Sequence, residues 1–156
     1  MNQVAVQQLL PGHLRRMRLT AAASVAVPLL AAVASFRLPR IATGLPPLAV
    51  SFLALAGSLW IGFSADRHAR KLMERIRRRH EEHGDTARLL ADHRRVLVAV
   101  LLRLQVVTLL GLATAVSGTG PTAALLHFAL AVILMGLAWP TEHKTLLLLR
   151  RTGVLH

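Results

Sequence analysis

The chain has no cysteine and no tyrosine, few other aromatic residues, and only seven acidic residues against nineteen Lys and Arg. Without cysteine there can be no disulfide and no thiolate metal site. No aromatic residue lies between Asp66 and Arg95, where ten of the nineteen cations are found, so bases would have no stacking platform and nucleic acid is excluded as a partner. The acids are missing most conspicuously from four long apolar segments, none of which holds an Asp or Glu.

That last absence removes several chemistries. Small proton-coupled multidrug exporters are four-helix proteins of this size and depend on an intramembrane Glu. The Asn and Thr motifs of four-span fluoride channels are missing too, as is the Glu-Arg and Asn signature of the glutathione-linked integral membrane enzymes. No Gly-rich phosphate loop, nucleophile elbow or carboxylate pair occurs, and no enzymatic activity is expected.

What is present is hydrophobic length. The 156 residues are 54% hydrophobic, with a formal charge of +12. The apolar runs extend for about 17–22 residues, enough to cross roughly 30 Å of hydrocarbon at 1.5 Å per residue. They predict an all-α integral membrane protein with four transmembrane helices, over 20–36, 45–65, 96–117 and 122–139. Residues 1–19 precede the first span, 66–95 form a basic segment, and 140–156 form a tail. Arg15, Arg16 and Arg18 ahead of an apolar run that ends in Ala32-Val33-Ala34 resemble a signal peptide; the run is read here as a true span. Pro46 and Pro47, and later Pro121, sit where a helix can start without losing a bond. Pro28 is expected to kink the first helix. Ser117-Gly118-Thr119-Gly120 makes spans three and four a tight hairpin.

Orientation follows from the cations. The N-terminal segment, the central segment and the tail together hold sixteen Lys and Arg, the first loop holds Arg37 and Arg40, and the third loop holds none. The positive-inside bias therefore places both termini and residues 66–95 in the cytoplasm of a bacterial-type inner membrane.

Within 66–95, Ala69, Leu72, Met73 and Ile76 repeat at helical spacing, and Gly84-Asp85 is the turn signal, with Thr86 able to cap the returning helix. The prediction is a cytoplasmic helical hairpin continuous with helices two and three. Glu74 with Arg78, and Glu82 with Arg79, are spaced to pair. The cations Arg67, Arg70, Lys71, Arg75, Arg77, Arg78, Arg79, Arg94 and Arg95 are candidate contacts for anionic lipids or for other membrane-protein subunits. Arg103 joins them from about two turns inside the third span, where it either snorkels to the headgroups or meets an anion. Glu142 to Arg151 is expected to lie in the interface or in a partner's groove, and residues 1–10 to form a second interfacial helix.

The remaining polar groups in the spans are few. Gln105 and Thr108 share a helical face and are suited to interhelical hydrogen bonding. Ala22/Ala26, Ala54/Ser58 and Gly111/Ala115 are small-x-x-x-small pairs that let helices approach. His80 and His83, three apart, could begin a metal site, although Arg77 to Arg79 would repel a cation. His127 is the lone histidine within a span and a candidate axial ligand for haem or a chlorin. With Ala123 it forms an Ala-x-x-x-His spacing that resembles the ligand motif of bacterial light-harvesting polypeptides, over two residues and with the helix reversed.

The expected function is a noncatalytic accessory or scaffold subunit of a larger inner-membrane complex. The alternatives are a haem- or (bacterio)chlorophyll-ligating subunit of an electron-transfer complex and a small transporter or channel.

Overall fold

Helix boundaries follow the turn chemistry closely. The computed structural model describes residues 3–41, 44, 46–152 and 154, without the side chains of 3–7 and 83. Its elements are α1 (Gln3–Ser35), α2 (Pro47–His83), α3 (Thr86–Thr114), a single π turn (Ala115–Thr119), α4 (Pro121–Leu137) and α5 (Glu142–Arg151), with no strand among the described residues. Pro47 and Pro121 each open their helix, where a missing N–H costs nothing. Three helices are long and apolar enough to cross a membrane, and a fourth span is reached if α4 and α5, bent by 49° at their junction, are taken together.

The hairpin joining α2 and α3 turns on Gly84. Its φ of +67° is left-handed, and its N–H caps α2 by donating to the His80 carbonyl at 2.8 Å. The cap of α3 is Asp85, one residue before the expected Thr86; its carboxylate accepts from the Arg88 N–H at 3.1 Å. A side chain at position 84 would be strained by the positive φ rather than by any neighbour, since a Cβ there meets nothing within 4 Å. Gly84→Ala is therefore expected to loosen the hairpin by about 1 kcal/mol. Hydrogen exchange around residues 80–90 should speed up, and unchanged exchange would contradict this turn geometry.

One expectation about the ends needs correction. The separate helix over residues 1–10 is, from Gln3 onward, the first part of one 33-residue helix. Leu10, Leu14, Met17 and Ala21 recur every three or four residues and are all buried, so this stripe keeps α1 against the bundle well before its apolar run begins. Leu9 beside the stripe points outward. In the tail, α5 folds back on its own chain, with Thr145 and Leu149 fully buried. Thr141 caps it by accepting from the Lys144 N–H, and Lys144 Nζ donates back to the carbonyls of Leu137 (2.8 Å) and Trp139 (3.0 Å) where α4 stops before Pro140.

The core is graded along the bundle axis, with α3 at its centre and α1, α2 and α4 packed around it. Toward the hairpin it is built of large side chains: Leu14, Met17, Ile76, Leu89, Leu90, Leu97, Leu101 and Leu149 share one cluster. Toward the other end the cluster is Ala31, Ala115, Ala124 and Phe128. Large apolar side chains are driven together where water competes. In lipid that drive is absent, and close backbone approach through small residues takes its place. Ala54/Ser58 and Gly111/Ala115 are buried in this way, whereas Ala22 and Ala26 are exposed.

Candidate functional site

The register of α2 against α3 brings Arg103 to Ser64. Arg103 Nη2 donates to Ser64 Oγ at 3.0 Å. Ser64 is the penultimate residue of the second apolar segment, so this guanidinium stands level with the end of that segment. Counted along the third segment alone, it had stood two turns deep.

Around the pair lies a cleft of about 340 Å3 lined by Trp60, Phe63, Ser64, Arg67, His68, Lys71 and Arg103. Six of these seven come from α2, at the three- and four-residue spacing that puts them on one face. The chemistry changes in order along the stripe. Trp60 and Phe63 are bare apolar rings, 69% and 70% exposed, then comes the Ser64 hydroxyl, then the cations. Arg67, Lys71 and Arg103 have no carboxylate partner among the described residues, and the adjacent Asp66 is turned to Arg70 at 2.8 Å.

The other expected cations divide differently. Arg77 and Arg78 share Glu74 at 2.9 and 3.4 Å, and Arg77 also approaches Glu81 at 3.6 Å. Arg95 and Arg79 converge on Asp92, at 2.8 and 3.9 Å, where the carboxylate is only 8% exposed. With Arg70 on Asp66, these side chains serve the hairpin itself. Arg75 and Arg94 are exposed on its surface. Composition alone had grouped all of them together. The stripe Trp60, Ser64, Arg67, Lys71 was available to sequence reading, had the helical period been followed past Ala65.

His13 of α1 and His93 of α3 face one another below the apolar segments, ring centroids 5.6 Å apart. Sequence reading attached no role to this pair, because nothing local links positions 13 and 93. Burial lowers the pKa of His93 to about 4, with a smaller push from His13. His13 is lowered as well, by burial first and then by Arg94 and Arg16. Both rings are therefore neutral in the folded protein near pH 7. Since the unfolded chain takes up these protons near pH 6.5, the stability tied to neutral His93 is present at neutral pH and lost as pH falls from about 6.5 to about 4. The thermal midpoint should drop between pH 7.5 and pH 5, and His93→Gln should flatten that slope; an equally steep slope in the variant would exclude His93 as its source.

Gln105 does more than link helices. Pro28 has no N–H, so the Ser24 carbonyl four residues earlier loses its helical donor. Gln105 Nε2 of α3 donates to that carbonyl at 2.8 Å, while its Oε1 accepts from the Thr108 hydroxyl at 3.2 Å.

His127 is 1% exposed; its Nδ1 lies 3.4 Å from the Ala123 carbonyl and its Nε2 is buried without a partner. A free Nε2 is what an axial ligand would offer. The surroundings do not fit a macrocycle, however: the residue is pressed onto Gly111 of α3, with Phe128 beside it, and the nitrogen has no open face for a ring to occupy. His80 Nδ1 lies 3.2 Å from the Asp85 carbonyl at the hairpin tip, and the His83 side chain falls outside the described residues. Among the described residues no group of three His, Asp or Glu could hold a metal.

These features define an all-helical protein with the length and hydropathy of a multi-pass membrane protein. No family model, curated protein or solved structure matches the chain.

Proposed function

We propose that the chain is a noncatalytic, four-span subunit of a larger assembly in a bacterial inner membrane, with both termini and the α2–α3 hairpin on the cytoplasmic side. The distribution of cations supports the orientation. The level of Ser64 and Arg103 supports a membrane boundary there. The hydrocarbon would then hold 47–64 of α2, 104–119 of α3 with its π turn, and 121–137 of α4, each of 16–18 residues. At 1.5 Å per residue these are about 24–27 Å long, similar to one another and close to the hydrocarbon thickness. Arg103 becomes a boundary residue on this reading.

The observation that carries the subunit role is the uncovered face of α2. In its apolar stretch 17% of residues are buried, against 44% in α3. Leu48, Phe52, Leu55 and Leu59 fall on one face, all exposed. Bulky side chains in one line, on a helix rigidly joined to a soluble hairpin, suit a partner's transmembrane helix. α3 organises the chain internally, α2 faces the partner, and the hairpin extends the contact into the cytoplasm.

Mild-detergent extraction followed by native electrophoresis tests this. The protein is expected to migrate with other subunits. If it runs alone, or only as a self-oligomer, the subunit role is wrong.

A further inference from the structure

We infer that the α2–α3 cleft is a binding site for one anionic phospholipid, with the headgroup phosphate held between Arg67, Lys71 and Arg103 and an acyl chain lying along Trp60 and Phe63. The inference rests on the membrane boundary proposed above, but not on the subunit role.

Three observations support it. First, the charges converge without neutralisation. Five of the ten Lys and Arg between 66 and 95 meet a carboxylate, whereas Arg67, Lys71 and Arg103, which line one cleft together, have none among the described residues. Unmatched cations at close range repel one another, and a bound anion relieves that repulsion. Second, Arg103 is already oriented. Its bond to Ser64 at 3.0 Å fixes one nitrogen of the guanidinium and leaves its other N–H groups to meet a phosphate oxygen. Third, the order of groups along the stripe matches the order of groups in the ligand. Aromatic rings lie where an acyl chain begins, the Ser64 hydroxyl lies at the ester level, and the cations lie at the phosphate. A free phosphate would use only the last part of this sequence, and a zwitterionic lipid would bring its own cation into a site already rich in them.

The test uses the full chain, delipidated in detergent and examined by native mass spectrometry with added phosphatidylglycerol or phosphatidylcholine. One equivalent of phosphatidylglycerol should be retained in preference to phosphatidylcholine. Lys71→Gln, at an exposed position that leaves folding intact, should weaken retention about fivefold, given the usual worth of one cation near an anionic headgroup. Arg103→Gln should do the same. Arg75→Gln removes an equal charge away from the cleft and should leave retention within about twofold if the site is specific. Equal loss in Arg75→Gln and Lys71→Gln would show diffuse attraction and overturn the proposal. Displacement of the lipid by millimolar inorganic phosphate would identify a free-anion site and overturn it as well. Retained lipid in a protein that runs alone on native electrophoresis would uphold this site while refuting the subunit role, so the two readings fail separately.

Discussion

Gly111→Leu is expected to be the most damaging single substitution in the bundle. A Cβ at this position would lie 2.8 Å from Phe128 Cε1 and 3.0 Å from His127 Cβ. The second contact decides the outcome, because a Cβ is fixed to the α4 backbone and cannot swing aside. Alanine would gain about 1 kcal/mol of helix propensity over glycine, against an overpacking cost of about 1–3 kcal/mol. The net effect of Gly111→Ala is thus a modest loss. Leucine carries three further carbons into the same gap, and α3 and α4 must separate to take them. Loss of the folded bundle, or a fall in thermal midpoint well beyond that of alanine, is expected in detergent. Gly136 is the control. It lies in α4 with nothing within 4 Å of its Cβ position, so Gly136→Ala should gain up to about 1 kcal/mol. A leucine at 111 that leaves the midpoint unchanged would refute the close approach of the two helices.

The second large effect is a coupling. Gln105→Leu keeps the bulk of the side chain and removes the donor to the Ser24 carbonyl. That carbonyl cannot turn to its own helix, since residue 28 is proline. The cost should be about 1–2 kcal/mol, at the upper end for an interhelical bond in a membrane. In a Pro28→Ala background the backbone N–H returns, and the same Gln105→Leu change should cost less than half as much. Equal costs in the two backgrounds would mean that Gln105 acts through something other than the vacancy left by proline. The cycle needs only unfolding measurements on four proteins, and it isolates the pair from whatever else each change does.

Much of the chain was legible because its signals are local. The hairpin declared itself through the Ala69, Leu72, Met73, Ile76 stripe and through Gly84, whose left-handed φ is the reason a glycine is there. Prolines 47 and 121 marked helix starts correctly. The cap moved by one residue, to Asp85, because either side chain could serve and only the path of the chain out of Gly84 chooses. Residues 1–10 were expected to form a separate interfacial helix. The spacing of Leu10, Leu14, Met17 and Ala21 is helical, and their burial against residues far away in sequence makes α1 one continuous helix. The same holds for α5, whose amphipathic pattern does not say which neighbour its apolar face meets; Leu149 is buried against its own bundle.

By itself, then, the sequence determined composition-driven properties: long apolar helices, their polar breaks, and a lopsided distribution of cations. These depend on neighbours along the chain. The tertiary structure decided which of the cations act together. Ten Lys and Arg residues between 66 and 95 looked like one basic surface. Local spacing gives Arg70, Arg77, Arg78 and Arg95 to carboxylates on their own helices, while packing of α2 on α3 brings Arg79 to Asp92 and sets Arg67 and Lys71 beside Arg103. The register that does this is set by burial of Ile76 and its apolar neighbours in the cluster that holds Leu89 and Leu97 of α3. One turn of slippage between the helices would carry Arg103 about 5 Å from Ser64. Position along the chain cannot encode that distance, because it is fixed by contacts between segments some forty residues apart.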